Sequence, residues 1–486
     1  MSKSLKQQTI SGMVWSSIGK FGTLGITFIS NLVLARLLMP SDFGYIGMLY
    51  IFLAISQVFI SGGLGSALIQ KKETTHIDYT TVFYWNLVFS VFFVVLLFFT
   101  AQSIADFYKM PMLKDILRVQ SIGLIISSFS IVQTTQLQKK LRFKELSVRS
   151  IIASFVGTIA AIVMAYNKFG VWSLVYSSLI SGVVNVILLW NMSRWRPTLE
   201  FSFQSLKKLF GFGSLMLLSA LVETIYTNIQ GLIIGKAFSA KSLGFYTQAR
   251  RLEEVPTSAL SSIVNQVSFP VFSKIQNNKE LLLIGVRKNI KAITFLNFPL
   301  MVLLLIIARP LFLFLYTQKW EASIPYFQIL CVGAMLYTVN TINTNVIKSL
   351  GKSNIYFVVQ FFKRLLGIML IIFSIRYGIE AMLWSIVAVY YISFFINGYV
   401  SGKLIGYGVW RQVKDAGIYY LLAIIAGVIT YCAFSFINIE LSNLAQILLQ
   451  ITVYAFSYLS VSYILKLEGF MTYQEVVVEF LMKRKK

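Results

Sequence analysis

Apolar runs of about 20 residues, long enough to cross the hydrocarbon layer as helices, follow one another along the whole chain. They occupy residues 12–36, 44–66, 80–104, 116–136, 149–167, 171–192, 210–235, 252–273, 291–316, 325–348, 354–376, 379–400, 416–437 and 444–465. The runs are continuously apolar rather than alternating, which predicts helices and not a barrel. The expected fold is an all-α integral membrane protein of about fourteen transmembrane helices. Charged residues are 13% of the chain, against about 25% in ordinary soluble domains. The segments between runs are short, which leaves no room for a catalytic domain outside the membrane. The first run is long and lacks a small-residue cleavage site, so it reads as the first span and not as a signal peptide.

The runs repeat. Leu32-Val33-Leu34-Ala35-Arg36 followed by Phe43-Gly44-Tyr45 returns 200 residues later as Leu232-Ile233-Ile234-Gly235-Lys236 followed by Leu243-Gly244-Phe245. A second match pairs residues 138–157 with 348–367, each a basic loop leading into an apolar helix. The repeat divides the chain into a six-helix lobe at 1–195, a cytoplasmic amphipathic linker at 196–209 and a second six-helix lobe at 210–402. Two extra helices and a basic tail fill 403–486. An even number of spans per lobe makes these parallel repeats, a plan many transporters use to build a site near the midplane.

Charge gives the orientation. Of 43 basic residues, 28 fall in or beside loops on the N-terminal side and 12 on the other. Basic excess marks the cytoplasmic face, so both termini are expected inside. The clusters responsible include Lys139, Lys140, Arg142 and Lys144, then Arg194, Arg196, Lys207 and Lys208, and the tail ending at Lys486. The net charge of +25 is thus a topology signal with a role at anionic lipid headgroups. Charges scattered over short loops argue against a nucleic-acid partner. The two cysteines, Cys331 and Cys432, fall within runs, and His76 is the only histidine. No metal or cofactor is expected beyond a coupling ion, H+ or Na+.

Ionisable residues at membrane depth are costly and so tend to face a cavity or a partner. Lys20 lies in span one, Glu223 in span seven, and Lys363 with Arg364 in span eleven. The offset places Lys20 one helical turn from the position equivalent to Glu223. Both are expected to face a central cavity; the alternative is snorkelling or pairing within each lobe. Glu223 is the one acid expected well inside a span, which makes it the coupling candidate. Lys363 and Arg364 point about 100° apart on a helix. Arg250 and Arg251, with Glu253 and Glu254, are expected at the outer start of span eight, as a basic rim or as a self-neutralised helix start with Arg250 pairing Glu254. Gln57, Asn86, Asn228 and Asn265, with Asn185, Gln230 and Gln266, suit either sugar hydroxyls or helix–helix glue. Pro270 and Pro299 predict kinks or breaks. A cationic cavity with apolar walls suits an anionic amphiphile.

Several segments resemble a known family. They are Gly12-Met13-Val14-Trp15-Ser16-Ser17-Ile18-Gly19, the loop Ala35-Arg36-Leu37-Leu38-Met39-Pro40-Ser41-Asp42-Phe43-Gly44-Tyr45, Gln138-Lys139-Lys140-Leu141-Arg142-Phe143, and Gly244-Phe245-Tyr246 through Arg251-Leu252 to Pro256. Together they resemble bacterial O-antigen flippases of the Wzx type, in the multidrug/oligosaccharidyl-lipid/polysaccharide exporter superfamily. The resemblance implies two six-helix lobes around a V-shaped cavity, plus two helices. It implies alternating-access export of an undecaprenyl-pyrophosphate-linked oligosaccharide across the bacterial inner membrane. The same comparison implies a polysaccharide polymerase machinery as partner, and cavity cations serving the pyrophosphate. A drug or small-molecule antiporter of the same fold and a peptidoglycan lipid-precursor flippase stay open. A membrane glycosyltransferase, polymerase or ligase is disfavoured by the short outer loops, and the chain is not read as an enzyme.

Overall fold

The computed structural model describes residues 5–435 and 442–483; the last three residues of the basic tail lie outside them. Compactness divides the chain into Met1–Gly244 and Phe245–Lys486. The 1–195 and 210–402 lobes express a symmetry of sequence, whereas the compact units divide further along, inside a helix.

The first unit holds α1 (Leu5–Leu37), α2 (Pro40–Ser61), α3 (Leu64–Gln70), α4 (His76–Tyr108), α5 (Met112–Lys139), α6 (Phe143–Tyr166), α7 (Trp172–Ser193) and α8 (Phe203–Ala237). The starting turns of α9 (Ala240–Ile275) also belong to it. Helix starts carry their own caps. Pro40 opens α2, with the Asp42 carboxylate accepting the Met39 amide at 2.9 Å, and Thr75 and Asp78 cap α4 reciprocally. Such partners satisfy the amides that a helix leaves unpaired at its N-terminus. The expected second span is two helices, because Gly62 and Gly63 both take positive φ, 56° and 68°, a conformation glycine adopts without a Cβ penalty.

In the linker, residues 194–202 are not helical and α8 begins at Phe203. The linker is pinned at its polar end: Ser205 donates to Asp78, Lys71 pairs with the same carboxylate at 2.6 Å, and the Ser202 amide donates to Thr81 Oγ1 at 3.1 Å. Trp195 joins a buried cluster with Leu64, Leu68, Phe83, Val132 and Leu209. That docking seats α8 against α2, α3 and α4.

The repeat leaves a physical mark within the first unit. Gly44, early in α2, abuts Ala240, the first residue of α9; a Cβ there would stand 1.8 Å from the Ala240 carbonyl oxygen. Gly244 abuts Pro40 the same way, again with 1.8 Å to the carbonyl. Position 44 thus meets the equivalent of position 40, and position 40 meets the equivalent of position 44, in a local two-fold crossing.

The second unit continues α9 and adds α10 (Lys279–Tyr316), α11 (Ser323–Ser349), α12 (Ser353–Ser374), α13 (Ile379–Ile405), α14 (Val409–Ser435), α15 (Asn443–Ile464) and α16 (Glu468–Lys483). α10 packs against α11, α14, α15 and α16. Of the kinks or breaks expected at Pro270 and Pro299, no break occurs: α9 runs through Pro256 and Pro270, and α10 through Pro299 and Pro310. Pro299 has no amide to give the Phe295 carbonyl, one turn earlier. The Tyr458 hydroxyl of α15 donates to that carbonyl instead, at 3.1 Å. α16 is a further helix where only a tail was expected.

Within the described residues the expected runs fall on helices, with positions 436 and 437 of the 416–437 run lying outside them, but twelve helical stretches, not fourteen, are long and apolar enough to span among the described residues. The two that fall short are α9 and α11. α9 carries the Arg250–Glu254 charges. α11 carries Asn340, Asn343 and Asn345, all buried. Their amides are spent on neighbours: Asn343 donates to Gln412 at 2.9 Å, Asn345 to Asn265 at 3.0 Å, and Asn340 to the Tyr390 carbonyl at 3.0 Å. Both cysteines are free, Cys331 buried and Cys432 exposed.

Candidate functional site

A polar pocket of about 550 Å3 opens in the first unit where α1, α5 and α6 meet. Close helix approach creates it. At Gly19 a Cβ would lie 2.5 Å from Ser147 Oγ, and that hydroxyl donates to the Trp15 carbonyl at 2.6 Å. Small residues at such crossings let membrane helices approach closely. Lys20, next to the contact, and Thr23 and Thr27, further along α1, line the pocket with Thr134 and Gln138 of α5 and Ser150 of α6.

The second cation is Arg149, from the first two turns of α6. Its Nη2 donates to Ser150 Oγ at 3.1 Å and its Nη1 to Thr134 Oγ1 at 3.4 Å. Its Nε is buried with no hydrogen-bond partner, as is Thr23 Oγ1. Buried donors are rarely left unsatisfied. The lining thus combines an ammonium, a guanidinium with donor capacity unspent and several hydroxyls, and no carboxylate is among it. Charge-assisted hydrogen bonds from such a set suit phosphate oxygens.

A family described as polysaccharide biosynthesis protein matches residues 33–325, more than half of the chain. The chain belongs to this family. It is 26% identical over 367 residues to the lipopolysaccharide biosynthesis protein WzxC of Escherichia coli (strain K12), covering 75% of each chain. It is 25% identical over 356 residues to the teichuronic acid biosynthesis protein TuaB of Bacillus subtilis (strain 168), covering 73% of this chain and 74% of that one. Its fold is similar to that of the Lipid II flippase MurJ in an inward closed conformation, with a TM-score of 0.74 over 93% of this chain and 99% of that one, at 16% identity. A multidrug MATE transporter follows at a TM-score of 0.57, covering 86% and 98%. This member of the polysaccharide biosynthesis protein family is a multi-pass membrane protein, with twelve helices among its described residues long and apolar enough to span.

The other residues singled out in this family member divide between its two units. In the first, Glu223 is exposed on α8. Gln57 accepts from Ser127 at 2.7 Å, a bond between α2 and α5. Asn86 is fully buried, and neither of its side-chain atoms has a partner. Asn228 turns back on its own helix, donating to the Thr224 carbonyl at 2.8 Å. Asn185 and Gln230 are half-buried. In the second unit, Lys363 is buried and donates to Asn397 at 3.2 Å, which in turn donates to Asn340 at 2.8 Å. Arg364 is half-buried, and Arg251 and Gln266 are exposed. Asn265 is helix glue to Asn345. Arg250 pairs with Glu254 at 2.7 Å, the expected helix-face pair.

Two functional candidates escaped the sequence reading. Arg149 stands at the first position of its apolar run and counts naturally as a loop charge. Glu253 was placed on an outer rim because span eight was drawn from residue 252; α9 in fact begins at Ala240. The carboxylate therefore sits well along the helix.

Proposed function

We propose that this transporter moves an undecaprenyl-pyrophosphate-linked oligosaccharide from the inner to the outer leaflet of the bacterial cytoplasmic membrane, by exposing its binding pocket to the two faces in turn. The exported glycan would feed O-antigen, capsule or exopolysaccharide synthesis, with a polymerase machinery receiving it. The observation that carries the proposal is the pocket of Lys20 and Arg149, cationic, rich in hydroxyls and free of carboxylates. Pyrophosphate oxygens match those donors, while a prenyl chain can stay in the lipid. With the N-terminus inside, as the basic loops favour, Lys20 lies about 14 Å into a span that starts at Ser11. The pocket then opens in the half of the membrane where the carrier lipid is loaded. The names of WzxC and TuaB, and of the succinoglycan transport protein ExoT of Rhizobium meliloti (strain 1021), support the same substrate class.

The test uses a deletion strain and an impermeant lectin or sugar-oxidising probe on oriented vesicles. Lipid-linked oligosaccharide should accumulate on the cytoplasmic leaflet and be relieved by the wild-type gene, but not by Lys20→Ala/Arg149→Ala at equal protein level. Normal distribution across both leaflets would overturn the proposal in favour of a small-molecule antiporter. Accumulation of peptidoglycan precursor alone would redirect it to that lipid.

A further inference from the structure

α9 buries an acid that forms no ion pair among the described residues. Glu253 is 8% exposed and lies roughly 20 Å along α9 from Ala240. Its carboxyl accepts one hydrogen bond, from Thr257 Oγ1 at 2.5 Å, and among the described residues it forms no ion pair. Arg250, one turn before it, is committed to Glu254 at 2.7 Å and to the Tyr246 hydroxyl at 3.0 Å. The groups facing Glu253 are Arg250, Glu254 and Tyr246 on α9 itself, the Cys331 thiol on α11, and Tyr390 on α13. Tyr390 packs edge-on against Tyr337 of α11, with ring centroids 5.7 Å apart.

A carboxylate taken from water and held in no ion pair is strongly disfavoured, while the neutral acid is tolerated. The buried arrangement is therefore one for the protonated group. Removing the proton creates a charge at i+3 from Arg250, competing with Glu254 at i+4 for one guanidinium; both spacings share a helix face. Arg250 then has two partners to choose between, and the choice changes what α9 presents to α11 and α13. A two-state element biased by a local charge is what a switch needs.

We propose that Glu253 is a proton-binding site, and that its loading and release are tied to exchange of Arg250 between Glu254 and Glu253. One proton converts the carboxylate to the acid, and the same proton leaves when Arg250 takes up the carboxylate. Tied to transport, the cycle couples a proton gradient to cargo movement; that last step rests on the transporter function proposed above, whereas the proton site does not.

Infrared difference spectroscopy on the full-length protein in lipid nanodiscs tests the site without any cargo. At neutral pH, where exposed glutamates are ionised, the wild type should show a protonated-carboxyl band. Glu253→Gln, which keeps the acceptor for Thr257, should lose it, and Thr257→Val should shift its frequency. In proteoliposomes, an imposed pH gradient should accelerate transport in the wild type, and Glu253→Gln should lose at least tenfold of that acceleration. An unchanged band in Glu253→Gln would overturn the site, and a full gradient response by that variant would overturn its tie to transport. A wild-type band that Glu253→Gln abolishes, in a protein that carries no lipid-linked glycan, would support the proton site and remove the flippase.

Discussion

Lys20 and Arg149 illustrate how differently two cations can be read. Lys20 interrupts a long apolar run, so its depth is evident from sequence. Arg149 begins a run, and only the folded contact of α6 with α1 shows that it shares a pocket with Lys20. The two also differ chemically: guanidinium presents a planar fork and ammonium a point charge. Removal of either should lower transport roughly tenfold to hundredfold, the equivalent of about 1.4–2.7 kcal/mol for a charge-assisted contact. Arg149→Lys should recover only part of the loss, and Lys20→Arg more, scored by leaflet-resolved glycan at matched protein level. Equal activity in Arg149→Ala would remove that residue from the site. Gln57 and Asn265 show the opposite limit of the sequence. Their chemistry fits a sugar, but each is bonded to a neighbouring helix, and nothing in a lone chain separates those two uses of an amide.

At the scale of the helix, what apolarity could show was where the helices lie, and what it could not show was how α9, α10 and α11 manage their polar and proline content. Period and length mark the runs, but the partner that rescues a carbonyl left without its amide comes from 163 residues away. Tyr458→Phe leaves the Phe295 carbonyl buried without a donor, which should cost about 1–3 kcal/mol. Pro299→Ala returns an amide to that carbonyl, so adding it to Tyr458→Phe should recover much of the loss. Melting in detergent measures both, and strictly additive losses would mean that Tyr458 acts through packing alone. The extra helices are fastened by charge. Arg287 reaches Asp415 at 2.7 Å, and buried Lys291 lies between Asp415 at 3.4 Å and Glu468 at 2.8 Å. Tyr407 donates to the same aspartate at 2.7 Å, and burial with that bond raises its hydroxyl above the ordinary tyrosine range. Asp415→Ala leaves the buried Lys291 with Glu468 as its one carboxylate partner among the described residues and should destabilise by about 3 kcal/mol, the lower end for a broken buried pair, because Arg287 is half exposed. Melting close to wild type would show that Glu468 alone suffices for Lys291.

Across the whole chain, the 200-residue repeat is the feature that links sequence to structure most directly, although its faintness hides what it does. The matched loops share only a glycine, a basic residue and an apolar frame. Folding turns the shared glycine into a contact: Gly44 faces the backbone of Ala240, and Gly244 faces that of Pro40. A methyl group at either position would meet a carbonyl, which has no rotamer to move to, so the starts of α2 and α9 would have to separate. Overpacking of this kind costs about 1–3 kcal/mol or more. Gly44→Ala and Gly244→Ala should each lower the melting temperature. Gly25→Ala, with open space around its Cβ, should be neutral or stabilising, since alanine favours a helix over glycine by about 1 kcal/mol. One separation relieves both clashes, so the double variant Gly44→Ala/Gly244→Ala should lose distinctly less than the sum of the singles, the mark of coupled neighbours. Additive losses would mean that the two glycines act as independent contacts, and the symmetry would then belong to ancestry and not to the energetics of the fold.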